Sequence, residues 1–308
     1  MLFEKKKMKS ELFKRVVFAI IGIPIALFLI IYGELPFLFA IIIISSVALY
    51  EFYSLAKLKN VNSNFALGFL FNLIFILFIY FSLSNAKILI NSGFIILVLI
   101  LLLVLSAFSL EMWRRKENRL LNVSTTISGI LYACFPFYSL ILIREFYKIT
   151  EFFINNNINL PLFFINQQNL EEFSIFSVIF VLITIWICDS AAFFIGKNLG
   201  KHKLFERVSP KKTWEGAVAG FIASILSSFL LFYFFVPNFP YIHSIMLGVI
   251  IGIFGQIGDL AESLIKRDVG VKDSSNLIPG HGGALDRFDS ILFVFPLVFV
   301  YFILLLVC

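Results

Sequence analysis

Long apolar runs separated by short polar segments make up most of this chain. Each run has about 20 residues, which is the length that a helix needs to cross the hydrocarbon of a bilayer. Nine runs can be placed, at 14–33, 36–56, 65–84, 88–110, 122–146, 173–196, 216–236, 241–266 and 287–307. The pattern therefore predicts an all-α, polytopic membrane protein with about nine transmembrane helices.

The composition supports this prediction and excludes a soluble domain. Of the 308 residues, 60% are hydrophobic and 14% are charged, whereas about 25% of the residues of soluble domains are charged. The first run follows a basic N-terminus but has no small-residue cleavage site, so we interpret it as a retained span. Cys134, Cys188 and Cys308 lie singly in apolar runs, which predicts reduced cysteines without disulfide or metal spacing.

The distribution of basic residues predicts the orientation of the spans. With nine spans, all but three of the 25 Lys and Arg residues fall on the side of the N-terminus, the exceptions being Lys87, Arg144 and Lys148. The positive-inside rule then places the N-terminus in the cytoplasm and the C-terminus outside. The net charge of +6 is expected on the cytoplasmic face, where it suits anionic headgroups or nucleotides.

The chain divides into three predicted regions. Residues 1–146 form an N-terminal five-span scaffold, 147–172 an external loop or interfacial segment, and 173–308 a C-terminal four-span catalytic region. In the scaffold, Glu51 lies one turn from the inner end of its span. We expect its side chain to snorkel to the membrane surface, with a ligand role as the alternative.

Two aspartates of the catalytic region lie inside apolar runs, at the depth of the inner membrane boundary. They are Asp189 and Asp259. A carboxylate in hydrocarbon is costly, so we expect a functional role, or else a structural pairing with a nearby lysine. Asp259, Glu262, Ser263 and Lys266 recur at steps of three and four, which places them on one helical face.

A helix start is predicted where 209–216 reads SPKKTWEG, with Ser209 as N-cap and Pro210 at the first helical position. Lys211 and Lys212 would then lie near the membrane surface. They suit contact with phosphate, or they serve only as topology charges.

The densest polar stretch, 263–289, separates the last two runs. Its basic residues face four aspartates, and its glycines let backbone approach an anion closely. Carboxylates from separate helices, without Cys or His pairs, suit a hard cation such as Mg²⁺, and the surrounding lysines and arginines suit phosphate. The residues therefore indicate metal-dependent phosphoryl or nucleotidyl transfer to a phosphorylated lipid at the cytoplasmic face.

The order of residues in this stretch resembles the signature of the phosphatidate cytidylyltransferases, the CDP-diacylglycerol synthases. The matching positions are Ser263, Lys266, Arg267, Lys272, Asp273, Pro279, His281, Gly282, Gly283, Asp286, Arg287 and Asp289. The segments around Asp189 and 209–216 resemble the same family. The resemblance implies transfer of CMP from CTP to phosphatidate, which gives CDP-diacylglycerol and pyrophosphate in phospholipid biosynthesis.

The resemblance also implies partners and roles. It implies a multi-pass protein of the cytoplasmic (inner) membrane bilayer, a homodimer and no nucleic-acid partner. Asp259 and Asp286 would be Mg²⁺ ligands, with Asp189 as a further candidate and a monovalent cation such as K⁺ beside the Mg²⁺.

From this resemblance follows a hypothesis for the mechanism. Lys266, Arg267, Lys211 and Lys212 would stabilise the leaving pyrophosphate, Ser263 would hydrogen-bond a phosphate or the metal, and Asp289 would orient Arg287 or support a ligand. Further phosphate contacts are expected from Lys272, His281, Gly282, Gly283 and Arg287.

Two other functions fit parts of the pattern. A CTP-dependent lipid kinase of the dolichol or phytol type would transfer the γ-phosphate to an alcohol, and would need a base near that hydroxyl. A non-catalytic lipid carrier or channel would need polar residues across the whole span, whereas the charges of this chain stop near one boundary.

Overall fold

Helices form nearly all of the described chain. The structure is a computed structural model, and it describes residues 20–156, 169–236, 239–275, 277 and 282–307. In chain order the helices are α1 (Ile20–Tyr32), α2 (Glu34–Lys57), α3 (Phe65–Ser84), α4 (Ala86–Ile90), α5 (Ser92–Trp113), α6 (Arg119–Gly129), α7 (Phe135–Arg144), α8 (Phe146–Asn155), α9 (Leu170–Leu199), α10 (Trp214–Phe235), α11 (Tyr241–Asp268) and α12 (Leu285–Val307). A π-helical turn, Ile130–Cys134, joins α6 to α7, and strands β1 (Lys203–Phe205) and β2 (Ser209–Thr213) lie between α9 and α10.

Eight segments of the described residues are long and apolar enough to cross a membrane. They are α2, α3, α5, the continuous segment Arg119–Arg144, and α9 to α12. These segments coincide with the second to ninth predicted runs. Of the first run, α1 is the described part, and the residues before Ile20 lie outside the described chain. The prediction of an all-α polytopic membrane protein is thus confirmed.

The segment predicted as an external loop or interfacial element begins with a helix. The ten residues of α8 (Phe146–Asn155) follow directly on the span that ends at Arg144. Residues 157–168 of the same segment lie outside the described residues. The first part of the segment is therefore helical, while its external or interfacial position stays a prediction.

The last helix, α12, packs in the centre of the bundle. Phe295 and Phe302 are fully buried, and α12 packs mainly against α11 and α7. At its first turns, Phe288 makes an edge-to-face contact with Phe137 of α7, with ring centroids 5.4 Å apart. The beginning of α12 is therefore fixed from both halves of the chain.

Small residues bring α9, α10, α11 and α12 close together. A methyl group at Gly216 would lie 2.6 Å from the carbonyl oxygen of Ala192, and one at Gly258 would lie 2.5 Å from the carbonyl oxygen of Asp289. Between α10 and α11, Ser224 Oγ donates a hydrogen bond of 2.9 Å to the carbonyl oxygen of Gly248. Such residues allow the direct backbone contact on which helix association in membranes depends.

A buried arginine fixes α1 at one end of the bundle. Arg144 is 1% exposed. Its Nε donates to the carbonyl oxygen of Ile30 at 2.6 Å, and its Nη2 lies 3.2 Å from Glu171 Oε1 of α9. A cation at the C-terminal end of a helix satisfies carbonyl groups that have no partner within the helix. Arg144 therefore ties α1, α7 and α9 together.

The predicted helix start at Ser209 is wrong. Ser209–Thr213 is an antiparallel strand that pairs with β1, with Lys203 opposite Thr213 and Phe205 opposite Ser209. The helix begins at Trp214, where the Thr213 side chain caps it by accepting from the amide of Gly216 at 3.2 Å. Proline is tolerated in an edge strand, so the Ser-Pro pair did not distinguish a strand from an N-cap.

Candidate active site

Three aspartates from three helices form one acidic cluster at the end of the bundle where α9 and α11 end and α12 begins. At ~1.5 Å per residue, Asp189 lies about 28 Å along α9 and Asp259 about 27 Å along α11. Asp289 lies in the first turns of α12. Its carboxylate interacts electrostatically with those of Asp259 and Asp189. Asp189 and Asp259, which the sequence predicted at a common depth, thus lie close together. We call Asp189, Asp259 and Asp289 the aspartate cluster.

Lys212 reaches this cluster from the two-stranded sheet. Its Nζ lies 2.6 Å from Asp259 Oδ2, while Ser263 Oγ donates to Asp259 Oδ1 at 3.3 Å. Successive side chains of a strand point to opposite faces, and Lys211 is accordingly exposed. The structure therefore places Lys212 at the aspartate cluster and turns Lys211 away from it.

A second charged group lies beside the aspartate cluster and is centred on Lys266. Its Nζ lies 2.6 Å from Asp286 Oδ1 and also pairs with Glu262. Lys266 is 8% exposed and Glu262 is 1% exposed. Oε1 of Glu262 accepts no hydrogen bond from any part of the chain that the structure describes. We call Glu262, Lys266 and Asp286 the Lys266 group; its buried lysine is held between two carboxylates.

Asp286 also organises the connection between Ser274 and α12. We call this connection the turn before α12; its described residues are 274, 275, 277 and 282–284. Its Oδ2 accepts from the amide of Ser274 at 2.8 Å, from the hydroxyl of Ser274 at 2.9 Å and from the amide of Gly283 at 2.8 Å. Gly282 has φ of +82°, a conformation that glycine adopts without strain. The amide of Gly283, predicted to contact phosphate, is thus directed at a carboxylate of the protein.

The expectation that Glu51 snorkels is wrong. Glu51 is 0% exposed, and its carboxylate accepts four hydrogen bonds from the segments on either side of the turn before α12. A charged residue within a predicted span was the available signal, since such residues are functional by default. Glu51 lies near the end of α2, where a charged side chain can reach the membrane surface, so the sequence did not show that it faces the bundle interior.

Tyr132 is a further residue at the site that the sequence did not indicate. It lies in the π-helical turn Ile130–Cys134, and its buried hydroxyl has no hydrogen-bond partner among the described residues. The hydroxyl oxygen lies close enough to Glu262 and Asp289 for electrostatic interaction. Single π-turns occur often at functional sites, but nothing in the local sequence marks this one.

The remaining predicted phosphate ligands are not all brought to the site. Arg267 donates to the carbonyl oxygens of Val208 at 3.3 Å and Val271 at 3.0 Å, so it braces the neighbouring loops. Lys272 and Arg287 are exposed. His281 lies outside the described residues.

The residues present fit a hard cation in their chemistry. Three carboxylates of the aspartate cluster face one lysine, Lys212, so the group carries excess negative charge and offers oxygen ligands. Within the described ranges, no three His, Cys, Asp or Glu side chains are arranged to enclose a metal by themselves. Mg²⁺ commonly takes one or two carboxylates together with water and substrate phosphates, so an open arrangement of this kind suits it.

The fold and site define a class: a polytopic helical membrane protein with an acidic cluster and two partly or fully buried lysines at one end of its spans. A model described as the cytidylyltransferase family matches residues 13–305. The chain therefore belongs to the cytidylyltransferase family, which confirms the resemblance seen in the signature.

Named relatives are similar to this chain over different lengths. The phosphatidate cytidylyltransferase of Bacillus subtilis (strain 168) is 33% identical over 293 residues, which cover 95% of this chain and 97% of the relative. The phosphatidate cytidylyltransferase of Staphylococcus aureus (strain COL) is 46% identical over 122 residues, 39% of this chain and 46% of the relative. The corresponding protein of Staphylococcus haemolyticus (strain JCSC1435) is 43% identical over 120 residues, again 39% and 46%.

Proposed function

We propose that the protein transfers CMP from CTP to phosphatidate at the cytoplasmic face of the membrane, giving CDP-diacylglycerol and pyrophosphate. One observation carries the proposal: in a chain of the cytidylyltransferase family, the carboxylates of Asp189, Asp259 and Asp289 meet Lys212 and the Lys266 group at one end of the spans. Carboxylates that can hold a cation beside lysines that can bind phosphate are what this reaction requires. The similarity to the Bacillus subtilis enzyme over nearly the whole chain supports the choice of substrates.

In the proposed reaction, a phosphate oxygen of phosphatidate attacks the α-phosphorus of CTP. The bond from that phosphorus to the bridging oxygen of the β-phosphate breaks, and pyrophosphate leaves with the electron pair. The attacking phosphate is already an anion, so no strong general base is needed. The chain must therefore mainly position two phosphate groups and stabilise the charge that develops.

Asp259 of the aspartate cluster would hold Mg²⁺, with Asp189 as a further ligand, and Asp286 would contribute from the neighbouring Lys266 group. Asp289, the third carboxylate of the cluster, would support these ligands. When bound, the ion would neutralise nucleotide phosphate charge and orient it. Each carboxylate oxygen has two lone-pair positions. Asp286 Oδ1 can therefore keep its contact with Lys266 and still bind an ion. A monovalent cation such as K⁺ beside the Mg²⁺ belongs to the same proposal.

Lys212 and Lys266 are the proposed contacts for the leaving pyrophosphate. Both ammonium groups lie 2.6 Å from a carboxylate of the site, which orders them before substrate arrives. Lys211 and Arg267 were expected to share this task. Because Lys211 points away and Arg267 is engaged by carbonyl groups, we assign them supporting roles at the surface.

The test uses purified protein in mixed micelles with phosphatidate, Mg²⁺ and CTP labelled at the α-phosphate. The proposal requires label in lipid that depends on phosphatidate. Label in lipid from γ-labelled CTP instead would identify a lipid kinase, and no transfer from either would leave a carrier or channel. Asp259→Asn should abolish turnover, while the matched change Asp268→Asn should not, because Asp268 is an exposed residue of α11 that pairs with Lys59.

The proposal includes a cellular setting. We place the protein in the cytoplasmic (inner) membrane as a homodimer, with its N-terminus in the cytoplasm and its C-terminus outside. In a variant whose three native cysteines are replaced by serine, Lys272→Cys, at an exposed position before α12, should then react with an impermeant maleimide only from the cytoplasmic side. Light scattering of the detergent-solubilised protein measures the oligomeric state.

A further inference from the structure

Glu51 connects the N-terminal half of the chain to both sides of the turn before α12. Its Oε1 accepts from the hydroxyl of Ser275 at 2.6 Å and from the amide of Ala284 at 2.9 Å. Its Oε2 accepts from the hydroxyl of Ser274 at 3.0 Å and from the amide of Leu285 at 2.8 Å. Two donors come from the segment before the turn and two from the start of α12. The side chain of Glu51 thus links the two ends of the turn.

The charge of Glu51 is compensated by these donors and by the position of the carboxylate. No ion pair between described residues includes Glu51. The carboxylate lies at the N-terminus of α12, where free amides and the helix dipole favour an anion. Because Glu51 occupies this position, its side chain caps the start of α12.

The turn is shaped to admit this carboxylate. A methyl group at Gly283 would lie 2.5 Å from Glu51 Oε2 and 2.6 Å from Glu51 Oε1. Any side chain larger than hydrogen at position 283 would therefore force the side chains of Ser274 and Glu51 to move. This close contact explains the glycine on grounds of space and does not require a phosphate at that position.

Ser274 carries the effect of Glu51 to the charged site. Its hydroxyl lies within hydrogen-bond distance of both Glu51 Oε2 and Asp286 Oδ2, and its single proton can serve only one of them fully. Its amide donates to Asp286 as well, and Asp286 in turn pairs with Lys266. A contiguous chain of contacts runs from Glu51 through Ser274 to Asp286 and Lys266.

We propose that Glu51 is a positioning residue for the reaction: its carboxylate fixes Ser274 and the start of α12, and thereby holds Asp286 and Lys266 in the geometry that turnover needs. This inference rests on the proposed function. The hydrogen bonds described for Glu51 all come from groups of the protein. Its effect is exerted through Ser274 and the first turn of α12.

The test compares Glu51→Gln with Glu111→Gln in the full-length protein. The first substitution keeps the size of the side chain but replaces one carboxylate oxygen with an NH₂ group. Each oxygen of Glu51 accepts from a backbone N–H group, so the NH₂ group would face a donor and that hydrogen bond would be lost. Glu111 is a suitable control because it is also buried in the N-terminal half and accepts two hydrogen bonds, from Arg114 and Asn122. It has no contact with the turn before α12 among the contacts described for it.

We expect kcat per folded molecule of Glu51→Gln to fall roughly 10- to 100-fold, because small displacements of catalytic groups have effects of that size. The KM for CTP should change less than about threefold, since the displaced groups act on charge that develops in the transition state. Hydrogen exchange at Ala284 and Leu285 should accelerate in Glu51→Gln and not in Glu111→Gln. Loss of folded protein alone would alter neither kcat per folded molecule nor this local exchange.

Unchanged kcat in folded Glu51→Gln overturns the inference, provided that the wild type makes CDP-diacylglycerol. An inactive wild type refutes the proposed function instead, so the two failures are distinguishable. If Glu51→Gln does not fold, Ser275→Ala decides, because it removes one donor to Glu51 at a half-buried position. A kcat that falls severalfold in Ser275→Ala supports the inference, and an unchanged kcat overturns it.

Discussion

Gly258 offers a sharp test of whether the contact between α11 and α12 controls the site. In Gly258→Ala the new methyl group would lie 2.5 Å from the carbonyl oxygen of Asp289, whereas real contacts of this kind are essentially never under 3.0 Å. The two helices must therefore separate by at least about 0.5 Å, and by about 0.9 Å to reach ordinary contact. The displaced segments carry Asp259 and Asp289. A shift approaching 1 Å can cost about 100-fold in rate.

We therefore expect kcat/KM of Gly258→Ala to fall about 10- to 100-fold. Crowding in a packed interior costs about 1–3 kcal/mol, and the better helix propensity of alanine offsets up to about 1 kcal/mol of that. The variant should thus fold with slightly reduced thermal stability. The assay is CDP-diacylglycerol formation from α-labelled CTP, divided by the amount of monodisperse protein.

Gly255→Ala is the matched control one turn away on α11. Its methyl group would lie 3.6 Å from Val294 Cγ2 and 3.8 Å from Ser290 Cβ, which are ordinary contacts. We expect activity within about twofold of wild type and stability equal or higher by up to about 1 kcal/mol. Equal kcat/KM in the two variants would refute the reasoning, because it would mean that the spacing of α11 and α12 does not govern the aspartate cluster.

Three further outcomes follow from the contacts of the site and of the bundle. Lys212→Met should lower kcat/KM about 100-fold, because it removes the cation beside Asp259, while Lys211→Met should stay within about threefold; steady-state kinetics on both variants compares them. Arg144→Met should destabilise the protein by about 1–3 kcal/mol, since it leaves the buried carbonyl oxygen of Ile30 without its donor, and kcat per folded molecule should persist; thermal unfolding with normalised kinetics separates the two quantities. Tyr132→Phe should leave thermal stability unchanged, because the hydroxyl has no hydrogen-bond partner among the described residues, but should lower kcat/KM if the hydroxyl meets substrate; equal kinetics would exclude that contact.

The spans could be predicted because hydropathy and length alone determine them. Asp189 and Asp259 were also predictable, since their distance along their helices follows from the helical rise. The predicted regions 1–146, 147–172 and 173–308 stay a prediction. The contacts of Glu51 show that the first and third regions nevertheless share one turn.

Contacts between distant segments account for most of what the sequence did not reveal. The role of Glu51 depends on donors more than 200 residues away, and no local pattern reports them. The helix start at Ser209 was mispredicted because serine and proline suit an N-cap and an edge strand equally, and pairing with Lys203–Phe205 decided between them. Lys211 and Lys212 are neighbours in sequence, yet strand geometry sends only Lys212 to Asp259.

Two of the buried charged residues of the N-terminal half, Arg144 and Glu51, also differ in when their partners are synthesised. Arg144 needs Ile30, which precedes it by 114 residues, and Glu171, which follows it by only 27. Glu51 must wait for Ser274 and Leu285, 223 and 234 residues later. Chains enter the membrane from the N-terminus onward. The contacts of Arg144 with Ile30 and Glu171 can therefore form while translation continues, whereas Glu51 meets all of its donors only after synthesis of α12 has begun. A chain that stops before Ala284 therefore lacks the two backbone donors, Ala284 and Leu285, that satisfy the carboxylate of Glu51 in the finished protein.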